Sequence, residues 1–544
     1  MKRVLIIGSG ISGLSCALRC AGYGIHVTLI SPYPSERAQS VMAAGGINAV
    51  TKECEDGDSV DSHIEDTLKG GAYIGGKKAV SGLCGHAEEI IRYLESIGTV
   101  FTVDRNGRPY TRAFGGQTHK RTYFCGASTG KQIVSALVME ARRYEAEGLI
   151  ERRTGACFHS ALIKDGVCYG ALVFDEKNRS LETVYSDSVV MAVGGQNSLF
   201  GKTTGSTLCD GYAAGKLFMQ GAELKNLEFI QYHPTTLETS QKRILISEAV
   251  RGEGGRLFYV KNGKRVYFME EKYGPNGNLM TRDVVSREIY SVNKEVFLDI
   301  SFKDKQFIDT YLPEVRDICM KFRNIDISKE PIPVAPSVHF FMGGFAVHLN
   351  HETSIRNLYA VGECASMYHG ANRLGGNSLL AALYSGNVAA DDIFGRDCAS
   401  EKADFKHMLD SANKEIKGML ESSSPFPVMY VRDMLAETMK KHLGIVRTEE
   451  SLEKGIEDVE YDLSVSDRIK YDGSVSAYTN YSLKGILTLA RAVLSCAKFR
   501  KESRGAHYRS DYPKVSEEYN CSTLISFSNG AYSIRSDKEG VYES

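Results

Sequence analysis

Five short stretches carry residue types that could hold and transform a small acid. They are QYHPTTL at 231–237, ISEAVRGEGG at 246–255, TRDVVSR at 281–287, SVHFFMGG at 337–344 and HGANR at 369–373. Together they offer two imidazoles (His233 and His339), two or three guanidiniums (Arg282, Arg373 and Arg251) and the hydroxyl of Ser247. Arginine meets a carboxylate through two parallel N–H donors and keeps its charge, so the set suits a small dicarboxylate. Taken singly, each piece has a plainer explanation: a histidine beside proline as a loop residue, Arg282 and Asp283 as a local ion pair, RGEGG as a turn. The conjunction, with glycines flanking nearly every stretch, points to a site.

Such residues need a frame. Residues 4–7 are a short apolar run suited to a buried parallel strand, followed by Gly8, Gly10 and Gly13 at GxGxxG spacing, a helical stretch ending at glycines, and a second apolar strand at 26–30. That order is the context a dinucleotide turn requires. The first glycine allows the turn, the second lets backbone approach a pyrophosphate, and the helix N-terminus faces the negative charge. The acid expected after the second strand, to hold a ribose, is absent. Ser31 stands there, so this unit alone does not separate NAD from FAD. Two further apolar strands end in Gly194–Gly195 and in Gly362–Glu363, which predicts one sheet assembled from distant pieces of chain. Beyond residue 397 the pattern changes to charged amphipathic helices, HMLDSANKEIKGMLES and SLKGILTLARAVLSCAKFRKES.

The composition sets outer bounds. The 544 residues include 53 Gly and 12 Pro, and 66 basic against 67 acidic side chains leave a net charge of −1. That balance gives no basic field for nucleic acid, and 42% hydrophobic content argues against disorder. The 13 cysteines are scattered without a CxxC pair, so neither a zinc ribbon nor an iron–sulfur run is expected, and the pattern suits reduced thiols in the cytoplasm. No apolar run approaches the ~18 residues of a membrane span.

In this order, the motifs GSGISG (8–13), AAGGINAV (43–50), RAFGGQT (112–118), STGKQI (128–133), AVGG (192–195), HPTT, SEAVRGEGG, HFFMGG, HGANRLGGNSLL and KESRGAHYRSDYP (501–513) resemble the flavoprotein subunit of succinate dehydrogenase and fumarate reductase, a superfamily that includes L-aspartate oxidase. The resemblance implies an α/β protein: a Rossmann-like FAD-binding domain (1–225 and 339–400), an inserted α+β capping domain (226–338) and a C-terminal helical domain (401–513); residues 514–544, rich in Ser, Asn, Gly and Tyr, lie beyond it and read as a loosely ordered tail or short hairpin. It implies hydride exchange between flavin N5 and the central C–C bond of fumarate or succinate. Arg282 would be the proton donor and acceptor, with Glu248 and Arg251 as its relay. His339 and Arg373 would hold one carboxylate, and His233 and Ser247 the other. Gly8, Gly10 and Gly13 would take the pyrophosphate. Ile11, Ser12, Ser31, Ser40, Ala44, Gly45, Gly46, Asp210, Glu363, Asn377, Ser378 and Leu379 would line the rest of the FAD site.

Departures sharpen the expectation. Gln39 stands where membrane-bound members carry the histidine that bonds to the flavin, which implies non-covalent FAD and favours fumarate reduction or an oxidase. Ser247 replaces a common threonine, and Thr236 a common glycine. HPTTL, SEAVRGEGG and DSHIEDTL lean towards L-aspartate oxidase, whereas RAFGGQT and Gly375–Gly376 lean towards the reductase branch; a reductase of another unsaturated carboxylic acid is the third alternative. A degenerate, non-catalytic flavin-binding chain would have lost a charged site residue, and all are present. The family further implies an iron–sulfur partner subunit and a peripheral place on the inner face of the membrane through partners.

Overall fold

The computed structural model describes residues 2–542 except 54–56, 127, 241, 398–402, 421–426, 467 and 470–471. Five parallel strands form the frame, in the order Leu358–Ala360, Ser188–Met191, Arg3–Ile7, His26–Ser31 and Ile150–Thr154. The central strands are buried on both faces, which is why they read as unbroken apolar runs. In register, Ile7 lies beside Ile30 and Met191, so the glycine-rich turns after Arg3–Ile7 and Ser188–Met191 emerge at one edge.

Glycines also set how closely the helices approach. A Cβ on Gly13 would stand 1.9 Å from the Gly8 carbonyl oxygen, so helix Ile11–Gly22 seats against its strand only without a side chain there. The long helix Asn377–Gly395 crosses it, where a Cβ on Gly386 would lie 2.7 Å from the Ser12 carbonyl oxygen. Ser15 Oγ donates to the Leu383 carbonyl at 2.9 Å and pins this crossing.

A second sheet of six strands is antiparallel: Arg243–Leu245, Ile230–Glu238, Ile332–Phe341, Val296–Asp299, Arg256–Lys261 and Lys264–Val266. It has its own core, including Leu237, Val250, Leu257, Val285 and Leu298. Strand Ile230–Glu238 carries His233 and its neighbour carries His339, with helix Arg282–Val292 packed against the pair. Helices Lys406–Leu420, Val428–His442, Glu449–Ser466 and Leu483–Phe499 occupy the C-terminal third. No helix among the described residues is long and apolar enough to cross a membrane.

Of the two expectations for the final stretch, the structure has the hairpin and not the loose tail. Ser522–Ser528 and Ala531–Asp537 form a hairpin that pairs onto Leu224–Lys225 and completes a five-stranded sheet. Leu524 and Ile525 are fully buried and supply the reason to dock. The turn is Asn529–Gly530, both at positive φ (50° and 80°), a combination that these two residue types tolerate best.

Candidate active site

One cleft opens at the edge of the parallel sheet and runs inward from Gly8, past Ser31, Gly45, Gly194 and Glu363, to Arg282, His339 and Arg373. Two helix N-termini border it. Their N-caps are Gly10 and Gly376, which have no side chain of their own, so apart from the Ile11 amide, which Ser40 takes, backbone donors and two positive dipole ends are available to one elongated ligand. Ser40 Oγ accepts from the Ile11 amide at 3.3 Å and fixes the turn between them.

Two carboxyls face this cleft, Asp210 from a buried position and Glu363 from a half-buried one. Glu363 accepts from the Phe341 amide at 3.1 Å. Burial outweighs both that bond and the Arg373 charge, lifting its pKa to about 7. A half-buried carboxyl with spare acceptor capacity suits a ligand hydroxyl. Asp210, also raised by burial, accepts from Tyr478 Oη at 2.9 Å and the Tyr212 amide at 3.0 Å. Gln39 lies on the wall, its Oε1 accepting from the Ser206 amide, and offers no nucleophile. An extended glycine-lined groove with two open helix ends and two acids fits a dinucleotide such as FAD.

Of the residues expected to hold FAD, Gly8, Gly10, Ser12, Ser31, Ser40, Ala44, Gly45, Gly46, Asp210, Glu363, Ser378 and Leu379 lie on the cleft wall. Ile11, Gly13 and Asn377 do not. Ile11 is fully buried, and Gly13 stands at the helix–strand contact. Asn377 faces the other way: its Nδ2 donates to Thr67 Oγ1 at 2.9 Å and its Oδ1 accepts from Asn48 Nδ2 at 2.7 Å. The wall also contains Arg37, Phe114, Gly194, Thr204 and Tyr478, which the sequence reading left unassigned. Phe114 and Gly194 sit inside RAFGGQT and AVGG, so motif position was a signal; Arg37 and Tyr478 carried none.

At the inner end the charged residues converge. Glu248 Oε2 accepts from Arg282 Nε at 3.0 Å and Nη2 at 2.8 Å, while Oε1 lies 3.1 Å from Arg251 Nη2 and accepts from the Gly115 amide at 3.1 Å. Burial pushes the Glu248 carboxyl up, but Arg282 and Arg251 outweigh it and hold the group at about 2. Burial pulls the Arg373 and Arg251 pKa values down. Burial and then Arg282 drive His233 and His339 well below the usual imidazole range, so both rings are neutral. Their centroids are 5.2 Å apart, edge to face, and His339 Nδ1 is 2.8 Å from Thr204 Oγ1. Ser247, next to Glu248 in the chain, accepts from the Ala249 amide at 3.3 Å through its Oγ. Three guanidiniums against one firmly ionised carboxylate leave a buried positive excess, and such an excess favours an anion.

Residues 3–379 match the family model described as FAD binding domain, and residues 432–542 match that of the fumarate reductase flavoprotein C-terminus. A succinate dehydrogenase flavoprotein subunit from Bacillus subtilis is 35% identical over 539 residues, covering 95% of this chain and 92% of that one. An L-aspartate oxidase from Yersinia pestis is 34% identical over 530 residues, covering 94% and 96%. A solved E. coli quinol fumarate reductase chain superposes with a TM-score of 0.90 at 27% identity, covering 98% of this chain and 97% of that chain. With that cleft and these matches along nearly its whole length, the chain belongs to the FAD-dependent family of succinate dehydrogenase and fumarate reductase flavoproteins and L-aspartate oxidases.

Proposed function

We propose that this chain interconverts fumarate and succinate as the flavoprotein subunit of a fumarate reductase or succinate dehydrogenase, with FAD held non-covalently. The observation that carries the reading is the inner end of the cleft, where Arg282, braced by Glu248, stands in one hydrogen-bonded network with Arg373. FAD, when bound, supplies hydride transfer to or from the central C–C bond of the substrate. The chain's own residues do the rest. Arg373 and His339 hold one carboxylate, and His233 and Ser247 the other. Because both imidazoles are neutral, they serve as polar contacts and leave the guanidiniums to balance the dianion. The Arg373 cation at one carboxylate also draws electron density from the double bond and stabilises charge that develops during transfer. Arg282 gives a proton to one carbon in the reducing direction. Arginine's own pKa is far above neutral, so this role needs a proton path, which Glu248 and Arg251 supply.

Electrons reach the chain from outside in this reading, through an iron–sulfur partner subunit that also gives it a peripheral place at the inner membrane face. The assay is anaerobic: reduced methyl viologen should be oxidised rapidly by fumarate, while aerobic L-aspartate yields little peroxide. Rapid peroxide formation with no fumarate reduction would replace this reading with L-aspartate oxidase. Acid precipitation should release all the yellow chromophore, since Gln39 cannot form the flavin bond.

A further inference from the structure

We infer that Gln231 is a positioning residue that sets the spacing and preserves the charge of the Arg282 and Arg373 guanidiniums, and so tunes both dicarboxylate affinity and proton delivery. The inference rests on the dicarboxylate reading of the site. Gln231 is fully buried on strand Ile230–Glu238. Its Oε1 accepts from Arg282 Nη1 and from Arg373 Nη2, each at 3.1 Å. Its Nε2 donates to Asn372 Oδ1 and to the Arg373 carbonyl, each at 2.8 Å. With both amide hydrogens committed, the oxygen must face the guanidiniums; the reversed amide would set donors against donors.

A neutral oxygen shared by two cations draws them together without cancelling either charge. Glu248 does the opposite for Arg282, meeting it with a full negative charge. Arg373 depends on the amide more heavily. Its Nε is buried without a partner among the described residues, and its guanidinium otherwise rests 4.3 Å from the Phe340 ring centroid. Asn372, which receives the Gln231 amide, is itself anchored by donating to Asp283 Oδ1 at 2.9 Å. The amide is therefore held in one orientation by the same loop that carries Arg373.

The test compares Gln231→Glu and Gln231→Met in the flavin-loaded full chain. Malonate is the probe, read by its perturbation of flavin absorbance, alongside the alkaline limb of kcat/KM for whichever of fumarate or L-aspartate the chain turns over. A glutamate there puts a carboxylate between the two guanidiniums. The malonate Kd should rise at least about tenfold, and the alkaline limb should move to higher pH because Arg282 holds its proton more tightly. Methionine has similar length but no acceptor, so the limb should move to lower pH. The other groups facing Arg282 are unchanged in both variants: Glu248 and Arg251 from one turn, His233 and His339 from two strands, Arg373 from its loop, and Asp283 from its own helix. Gln231 is not on the flavin wall, so flavin content should hold. Limbs that stay put or move together, or unchanged malonate affinity in the glutamate variant, would overturn the inference alone, as would loss of flavin from both variants. Failure of the unaltered chain to bind malonate would overturn the dicarboxylate reading and this inference with it.

Discussion

The two ends of the cleft are built from different materials. The outer end is mostly backbone: Gly8, Gly10, Gly45, Gly194 and Gly376 bring main chain close, and two open helix ends supply donors. The inner end is side chain: Arg282, Glu248, Arg251, Gln231 and Arg373 form one buried network. Backbone sites are hard to break chemically but intolerant of added volume. Side-chain sites accept volume changes poorly too, yet fail first through charge.

The sharpest way to separate the ends is Arg282→Gln, which should lower kcat by roughly 10²–10⁴-fold while the protein stays yellow. Retained turnover in the methyl viologen assay would remove Arg282 from its role. The converse change is Gly8→Ala. Its Cβ would stand 2.2 Å from the Ala192 carbonyl oxygen at a φ of +110°, so it should cost about 3 kcal/mol or more and empty the flavin site. Flavin per chain and Tm measure both effects.

Glu363 joins the two ends and gives a pH signature. Its folded pKa of about 7 lies above the ordinary 4.5, so the folded carboxyl retains a proton that the unfolded one releases. Its contribution is greatest below 4.5 and is lost as pH rises towards 7. Relative to Glu363→Gln, the flavin-free wild type should therefore lose stability across that window, by at most about 3 kcal/mol, in urea midpoints. Flavin affinity should move the other way, falling in the variant, if ligand hydroxyls bond to the carboxylate. The mildest change is Ser247→Thr, which keeps the hydroxyl and should leave kcat/KM within about twofold.

The outer end was largely legible in the sequence because glycines at turn spacing after apolar strands have a steric meaning. Gly13 shows the limit: its spacing was read correctly, but the structure uses it for helix–strand contact. At the inner end, charge made Arg282, Glu248 and Arg373 conspicuous. Gln231 lay within a quoted motif and went unassigned, because a neutral amide announces nothing until its four hydrogen bonds are seen. Arg37 and Tyr478 reach the cleft from loop and helical segments that no periodicity links to it. The closing hairpin was legible as one of two alternatives, and Asn529–Gly530 between two alternating stretches is the local signal that favours it over a loose tail.

That hairpin bears on the order in which the molecule is made. The Thr523 amide donates to Asn226 Oδ1 across 297 residues of chain, and Thr523 Oγ1 donates to Glu228 Oε1, which Arg500 also grips. Glu228 is at the foot of the strand that carries Gln231 and His233. Every residue proposed to touch substrate has therefore left the ribosome long before the segment that steadies that strand is synthesised. A nascent chain halted after the last cleft helix would have a complete parts list and an unsecured wall. Trimming the hairpin by protease should likewise silence the inner end without removing one residue from it.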